Sequence, residues 1–206
     1  MLINLHTHNR QEIGLEIVQT NEVLSYPYSY GVGPFDIENH IFNKKIAANK
    51  NCLAIGEIGL DKLVQININK QIIKFKNQLI YSEKLNLPVI IHCVKAYNEI
   101  IQIKRELKPK QPWIIHGFRK TNLTTILISE GFYLSIGTAI LHDKKLQSTL
   151  KTIPNDRLFL ETDNDLNHNI EEVYQQVASL KEISLLDLKN IISNNFKTVF
   201  KKWEIG

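Results

Sequence analysis

The sequence predicts an α/β fold built on eight short parallel strands, and a closed (β/α)8 barrel of the TIM type is the favoured arrangement. Short apolar runs alternate with helical patterns about eight times along the 206 residues, which is typical of a parallel sheet. These runs are largely apolar throughout, as expected for strands that are buried on both faces. An open sheet is the structural alternative, because such barrels typically need about 250 residues.

Length and composition favour one compact domain that spans residues 1–206. Apolar residues make up 43% and charged residues 22% of the chain, which is ordinary for a globular protein. No apolar run reaches the roughly 18 residues that a membrane span requires. Met1 leads directly into a strand-like segment, and Cys52 and Cys93 do not make a disulfide framework. We therefore expect no signal peptide, no membrane association and a cytoplasmic location.

The net charge of the chain is +4. This charge permits a phosphate-bearing substrate but is too small to indicate a dedicated nucleic-acid binder. Oligomeric state does not follow from the sequence.

The N-terminal third is predicted to contain strands with few helices. The predicted strands cover residues 1–6, either 15–19 or 22–24, and 28–34. Neither choice for the second strand leaves room for a full helix after the first, so this third of the barrel is shortened. Asp36 is placed to cap a helix that extends to about residue 49.

From residue 53 onward, strands and helices alternate regularly. Strands are predicted at 53–57, 89–92, 113–116, 132–136 and 157–161, and helices at about 69–85, 97–107, 122–129 and 144–152. The helix at 69–85 has one apolar face formed by Ile72, Phe75, Leu79 and Ile80. Two helices end the chain, and the last is predicted to begin at Ser184 with a capping box.

Side chains of the types that commonly bind metals lie at the ends of the predicted strands. The first strand ends at His6, and His8 lies on the same face because side chains alternate along a strand. The later strands end at, or are followed closely by, Glu57, His92, His116, Glu161 and Asp163. The carboxyl ends of barrel strands meet at one mouth, and imidazole and carboxylate are common metal ligands. The sequence therefore predicts a metal site at this mouth.

The number of ligands fits two divalent cations about 3.5–4 Å apart, with Mg, Mn and Zn as the candidates. One cation is predicted to take His6, His8, Asp163 and one oxygen of Glu57, and the other to take the second oxygen of Glu57 with His92 and His116. Asp163 is the predicted proton acceptor for an attacking water, so Asp163 and the bridging Glu57 are the catalytic carboxylates. Glu161 is expected to orient a ligand from behind.

Several other side chains follow the strands that carry the ligands. Lys95, Arg119 and Lys120 are placed to hold phosphate oxygens, with a solvated rim as the alternative. His142 and His168 follow the seventh and eighth strands and are predicted to contact substrate.

Five motifs resemble those of the TatD family of metal-dependent deoxyribonucleases, which are amidohydrolase-like barrels. The motifs are H-T-H at 6–8, G-E-I-G-L-D at 56–61, P-V-I-I-H at 88–92, H-G-F at 116–118, and L-E-T-D at 160–163 after I-P-N-D-R-L at 153–158. The stretch around Glu57 is the most specific of them. The resemblance covers nearly the whole chain in order and spacing.

The resemblance implies a (β/α)8 barrel, a two-metal centre and hydrolysis of DNA phosphodiester bonds. It carries over His6, His8, Glu57, His92, His116 and Asp163 as metal ligands. Two alternatives remain: the same metal chemistry on a small amide, ester or lactone, and a metal-binding scaffold without turnover.

The sequence departs from the family pattern at a few positions. Asn4 stands where the family usually has Asp, which changes the support behind the H-T-H pair. Val94 replaces a common Arg, so a phosphate contact is lost or passes to Lys95. Asn164 and Asp165 replace the usual Ala-Pro. Because every ligand is present, activity is expected, and the identity of the substrate is the open question.

Overall fold

The structure is a computed structural model that describes residues 1–203, and the chain forms two compact units. Unit 1 combines residues 1–18 with the chain from His116 onward, and unit 2 comprises Gln19–Ile115. The elements in chain order are β1 (Ile3–Thr7), β2 (Leu15–Gln19), β3 (Tyr28–Tyr30), α1 (Lys44–Ala47), β4 (Cys52–Asp61), α2 (Ile68–Leu85), β5 (Val89–Val94), α3 (Tyr97–Leu107), β6 (Trp113–Ile115), α4 (Thr124–Ser129), β7 (Tyr133–Ile136), α5 (Lys144–Leu150), β8 (Leu158–Leu160), α6 (Ile170–Lys181) and α7 (Leu185–Val199).

In unit 1, parallel strand pairs pack beneath the C-terminal helices. β1 pairs with β2, and β7 pairs with β8. The hydroxyl of Tyr174 in α6 accepts a hydrogen bond from the backbone N–H of Ile3 at 3.0 Å and donates one to the Ile3 carbonyl oxygen at 3.1 Å. Burial raises the pKa of Tyr174, so the phenol stays neutral and keeps both bonds. These bonds fix the start of β1 against α6.

In unit 2, β3, β4, β5 and β6 pair in parallel in that order. Every residue of β4 is buried. Gly59 has φ +154°, and a Cβ atom built there would lie 1.9 Å from the His92 carbonyl oxygen. A Cβ atom at Gly56 would lie 2.7 Å from the Ile90 side chain. The two glycines of the G-E-I-G-L-D motif are therefore required by the close approach of β4 and β5.

All eight predicted strands are present, with boundaries that differ by a few residues. The second strand is Leu15–Gln19, the first of the two predicted alternatives. The helix predicted from Asp36 to residue 49 is wrong, because only Lys44–Ala47 is helical. Asn43 caps that short helix, since its side chain accepts a hydrogen bond from the Lys45 N–H at 3.0 Å. Residues 34–39 form turns instead, in which the Asp36 carbonyl oxygen accepts from the N–H groups of two later residues at 2.9 Å.

The apolar face predicted for α2 is partly wrong. Ile80 is 50% exposed, whereas Gln71 and Gln78 are buried. Gln71 bonds the backbone N–H and carbonyl oxygen of Asp61 at 2.8 and 2.9 Å. Gln78 does the same for Val32 at 2.8 and 3.0 Å. These buried glutamines provide hydrogen-bond partners for backbone groups of Asp61 and Val32. Because they are polar, they interrupt the apolar periodicity from which the buried face of α2 was predicted.

The last helix agrees with its predicted start. Ser184 caps α7, since its hydroxyl oxygen accepts from the Asp187 N–H at 3.0 Å. Leu188, Ile192, Phe196 and Val199 are buried. Across residues 1–203, none of the helices combines the length and the apolar character that crossing a bilayer would need.

Candidate metal centre

Unit 1 brings together three histidines and a carboxylate, which we call the Asp163 cluster: His6, His8, His116 and Asp163. Thr7 and Asp163 form a parallel β-bridge. The Asp163 N–H donates to the His6 carbonyl oxygen, and the His8 N–H donates to the Asp163 carbonyl oxygen, both at 3.0 Å. Asp163 has φ +54°, so the backbone turns sharply after β8. These bonds hold the carboxylate beside the H-T-H pair.

The distances within the Asp163 cluster fit a bound cation. Asp163 Oδ1 lies 3.5 Å from His6 Nε2 and 3.6 Å from His8 Nε2. The ring centroids of His6 and His116 are 4.5 Å apart, and one ligand atom from each of these two residues and Asp163 lies within 4.8 Å of the others. Ligands on a tetrahedral cation at about 2.1 Å are about 3.4 Å apart. The cluster therefore matches the spacing of a metal site without rearrangement.

The side chains of the Asp163 cluster differ in their exposure to solvent. The His6 side chain is completely buried, whereas those of His8 and Asp163 are 33% and 40% exposed. One side of the cluster is thus fixed by packing, and the other is open to water and to a substrate.

Glu161 lies directly behind His116. The Glu161 side chain is fully buried, its Oε1 accepts a hydrogen bond from the Gly117 N–H at 2.6 Å, and the same oxygen is 3.4 Å from His116 Nδ1. A carboxylate in this position favours the imidazole tautomer that leaves Nε2 available as a ligand atom. Glu161 therefore lies where a residue that orients His116 is needed.

Asn4 stabilises the segment that carries Asp163 rather than a ligand directly. Its side-chain amide donates to the Thr162 hydroxyl at 2.8 Å and accepts from the Thr162 N–H at 3.0 Å. The Thr162 hydroxyl lies 3.2 Å from the hydroxyl of Thr7. An amide can donate and accept at once, whereas an ionised carboxylate only accepts. Asn4 therefore joins β1 to the chain after β8 without a buried charge.

Unit 2 contains a second group, which we call the His92 cluster: Glu57, Asp61 and His92. His92 Nδ1 is 2.6 Å from Glu57 Oε1, and His92 Nε2 is 3.0 Å from Asp61 Oδ2. The Glu57 N–H donates to Gln19 Oε1 at 2.6 Å. The ring of Phe35 meets that of His92 edge-on, with centroids 4.8 Å apart. The imidazole is thus fixed on both nitrogens and on one ring face.

Asp61 belongs to the His92 cluster, although the sequence pattern did not predict a contact with His92. Its Oδ1 also accepts the Leu63 N–H at 2.7 Å, so the carboxylate is rigidly held while it engages His92. Histidines that bind metals commonly give their second nitrogen to such a carboxylate. The only signal in the sequence was its place at the end of G-E-I-G-L-D. Two predictions join residues of different units and stay predictions. One is that Glu57 bridges two cations, and the other is that His116 shares a cation with Glu57 and His92.

The residues predicted to contact substrate lie in different surroundings. Arg119 lines a cavity of about 210 Å³ in unit 1, together with Glu161, Asp163 and Asp165. Arg119 Nη2 is 3.4 Å from Asp143 Oδ2. The other predicted contacts at the surface are all exposed: Lys95, Lys120 and His142.

His168 is held in its loop by Asp165. His168 Nδ1 lies 3.0 Å from Asp165 Oδ2, and the His168 carbonyl oxygen accepts from Gln11 Nε2 at 3.0 Å. Burial alone would raise the pKa of Asp165, but hydrogen bonds from Thr138, Asn167 and His168 outweigh it and lower that pKa to about 2. Asp165, which departs from the family pattern, therefore stabilises the loop that borders the cavity.

Comparison with a solved structure establishes the class of fold. The crystal structure of YjjV, a TatD homologue from Escherichia coli, superposes with a TM-score of 0.82 at 19% identity, covering 97% of this chain and 98% of that one. The likeness confirms the predicted TIM-type barrel fold. At 19% identity this comparison establishes the fold of the chain, and the two ligand-rich clusters are the candidate metal sites on it.

Sequence comparison then gives the family. The family model described as TatD related DNase matches residues 4–201, so the chain belongs to the TatD family. It is 31% identical over 178 residues to the uncharacterized metal-dependent hydrolase YabD of Bacillus subtilis, covering 77% of this chain and 69% of YabD. It is 34% identical over 131 residues to the 3'-5' ssDNA/RNA exonuclease TatD of Erwinia tasmaniensis, covering 58% and 49% respectively.

Proposed function

We propose that this TatD-family hydrolase cleaves phosphodiester bonds of DNA with the help of divalent cations. The observation that carries the proposal is the cation-sized spacing of the Asp163 cluster, with 3.5 and 3.6 Å from Asp163 Oδ1 to two imidazole nitrogens. The likeness to an exonuclease of Erwinia tasmaniensis supports a nucleic-acid substrate.

We assign one cation to each cluster. In the Asp163 cluster, the carboxylate and imidazole atoms are already separated by the distances that are found between the ligands of one metal ion. In the His92 cluster, Glu57 and His92 are at hydrogen-bond distance, 2.6 Å, so a cation bound by both would take the place of that hydrogen bond. Hard, oxygen-seeking Mg or Mn and borderline Zn are all compatible with mixed imidazole and carboxylate ligands.

The side chains of the Asp163 cluster have distinct tasks in this mechanism. His6, His8, His116 and Asp163 would hold a divalent cation, which would supply Lewis-acid chemistry towards a phosphate oxygen and a water molecule. Asp163, whose carboxylate is held in place yet 40% exposed, accepts the proton of the attacking water. Buried His6 fixes the ligand geometry, and Glu161 orients His116. Arg119, which lines the adjoining cavity, contacts the phosphate of the substrate.

The proposal is tested with purified protein, Mg²⁺ or Mn²⁺, and a labelled single-stranded DNA. We expect the wild-type protein to release nucleotides and Asp163→Asn to lose at least about 100-fold in kcat/KM. Asp156→Asn is the matched control, because its side chain is 72% exposed on a 3₁₀ turn. Equal activity of Asp163→Asn and wild type would overturn the mechanism.

Two further outcomes separate the alternatives. Turnover of an amide, ester or lactone panel without DNA cleavage would replace the nuclease assignment by hydrolysis of small substrates. Metal binding without turnover of any of these substrates would identify a scaffold. Each of these results contradicts DNA cleavage as the activity of the chain.

A further inference from the structure

We propose that unit 2 binds single-stranded nucleic acid in a groove beside α2, outside both ligand clusters. The α2 groove is a cavity of about 380 Å³ whose charged and aromatic lining consists of His40, Phe42, Lys74, Tyr81 and Lys84. This inference deepens the proposed nuclease function and rests on it for its biological role. Binding itself is measured separately from hydrolysis.

The groove is positively charged. Lys74 and Lys84 line it on α2 and His40 lines it on the loop after β3, and no acidic side chain belongs to this lining within the described chain. Lysines that track a phosphate backbone release its condensed counterions, which is the main source of affinity for nucleic acids without sequence preference. The charge of the groove therefore matches an anionic strand.

Aromatic rings provide the second feature of a single-strand site. The ring centroids of Phe42 and Tyr81 are 4.8 Å apart, and those of Tyr30 and Phe42 are 5.1 Å apart. Lys84 Nζ lies 5.9 Å from the centre of the Tyr81 ring. Aromatic side chains beside cationic ones form the platforms on which unpaired bases stack. Ile41, 88% exposed at the rim, adds an apolar contact for a base or sugar.

The walls of the groove are fixed before any ligand arrives. Gln78 bonds both backbone groups of Val32 at 2.8 and 3.0 Å. The Tyr30 hydroxyl accepts from the Asn43 N–H at 2.7 Å. Since these bonds already hold the loop, binding costs little ordering of the protein.

A second cavity extends the cationic track across α2. It has about 370 Å³, shares Asn77 and Ile80 with the groove, and adds Lys108 and Lys110. Lys76 also lines it, but its ammonium is paired with both carboxylate oxygens of Glu106 at 2.9 and 3.0 Å. The one acidic residue in its described lining, Glu83, accepts hydrogen bonds from the N–H groups of Lys110 and Gln111 at 3.0 and 3.1 Å. Glu83 keeps its negative charge, and the two cavities lie side by side along α2, with the lysines of the second adding to those of the groove.

One loop connects the groove with the His92 cluster. Residues 31–43 follow β3, and Phe35 of this loop contacts the His92 ring at 4.8 Å. Phe42, near the end of the same loop, lines the groove. A strand held in the groove is thus bound by the segment that also touches the imidazole proposed to bind metal.

A protein partner is the competing occupant, because Ile41 and Ile80 are exposed. The lysine-rich lining disfavours a second copy of this chain, whose net charge is +4, since two positive surfaces repel each other. We therefore assign the groove to nucleic acid.

The test is fluorescence anisotropy of a labelled oligo-dT of about 15 nucleotides with metal-free protein in EDTA, so that no hydrolysis occurs. We expect Lys74→Ala/Lys84→Ala to weaken binding about tenfold or more and to reduce the salt slope by about 1.4. We expect Tyr81→Ala to weaken it about tenfold. Lys197→Ala/Lys201→Ala removes two exposed lysines from unit 1 and should bind like wild type.

Circular dichroism confirms that each variant is folded, and Tyr81→Leu replaces Tyr81→Ala if the latter is not. Equal binding by the groove variant and the Lys197/Lys201 control would overturn the proposal. So would a wild-type dimer in sedimentation that Ile41→Ser/Ile80→Ser converts to monomer, because the face would then join two copies. If DNA cleavage fails while the groove variants still lose binding, only the proposed activity is wrong.

Discussion

The Asp163 cluster of unit 1 and the His92 cluster of unit 2 use the same side-chain types in different states. In the first, imidazole nitrogens lie 3.5 and 3.6 Å from a partly exposed carboxylate. In the second, His92 lies between two carboxylates at 2.6 and 3.0 Å. The distances in the Asp163 cluster are those between the ligands of one metal ion. The distances in the His92 cluster are those of hydrogen bonds.

The difference predicts that the two clusters bind a cation with different ease. The Asp163 cluster is spaced by backbone hydrogen bonds that hold Asp163 to both histidines, so a cation finds its ligands in position. In the His92 cluster, Glu57 and His92 are at hydrogen-bond distance, so a cation bound by both would have to separate them. We therefore expect the Asp163 cluster to bind a cation first.

Of the substitutions that would distinguish the two clusters, the one with the largest expected effect is at Gly59. This glycine supports the His92 cluster. Gly59→Ala places a Cβ atom 1.9 Å from the His92 carbonyl oxygen, so β4 and β5 must separate. We expect a loss of more than about 4 kcal/mol of unfolding free energy, or no folded protein. Urea denaturation measures it.

Gly131→Ala is the matched control, because Gly131 also has a positive φ, +75°, but its Cβ would meet nothing within 4 Å. Only the backbone strain of about 1 kcal/mol is then expected. Similar losses in the two variants would contradict a role for close strand approach.

The next largest effect is expected at Asp61, which fixes one nitrogen of His92. Asp61→Asn removes the charge that orients the ring, and we expect metal affinity at the His92 cluster to fall about 10- to 100-fold. Isothermal calorimetry with Mn²⁺ resolves this site as the weaker binding event. Asp36→Asn, at a 52% exposed carboxylate, should change nothing, and an unchanged isotherm for Asp61→Asn would remove Asp61 from the site.

In unit 1, the carboxylate that orients a histidine is that of Glu161. Its substitution should lower metal affinity less than that of Asp61. The Glu161 carboxylate accepts the Gly117 N–H at 2.6 Å. In Glu161→Gln the amide oxygen can still accept this N–H, but the negative charge beside His116 is lost. We expect a decrease of about tenfold in metal affinity of the tighter site. Glu161→Ala should lower the affinity further, because it also removes the acceptor of the Gly117 N–H. An unchanged affinity in Glu161→Gln would contradict a role of the Glu161 charge in orienting His116.

The smallest effect is expected at Asp165, whose pKa is lowered from 3.8 to about 2. A carboxylate with a lowered pKa stabilises the folded state above its unfolded pKa, and this contribution disappears as pH falls through the folded one. Asp165→Asn should therefore cost at most about 1 kcal/mol at neutral pH, since the site is partly solvated. The difference from wild type should vanish as pH falls from about 4 to 2, and a pH-independent difference would refute its electrostatic origin.

Much of the fold was predictable because apolar strands, glycines and capping residues act locally. β1, β5 and α3 were found from periodicity and composition alone. The helix expected after Asp36 was wrong, because the Asp36 carbonyl oxygen closes turns there. The buried face of α2 was misread, because Gln71 and Gln78 satisfy distant backbone groups that no local pattern reveals.

The candidate site was predictable in part. Within unit 1, His6, His8 and Asp163 lie together, as their places at strand ends indicated. His116 lies beside them, although the sequence assigned it to the other cation. Asp61 escaped notice because its partner, His92, is 31 residues away and the contact exists only once β4 and β5 pair. Burial, tautomer and partner of each ligand depend on packing and could not be read from spacing.

Calorimetric titration of metal-free protein with Mn²⁺, wild type beside Asp163→Asn, tests the central claim most directly. We predict that the tight binding event of the wild-type protein is lost or weakened at least about 100-fold in Asp163→Asn, while Asp156→Asn keeps it. An Asp163→Asn isotherm that superposes on the wild-type one would show that the cluster in unit 1 is not where the cation binds.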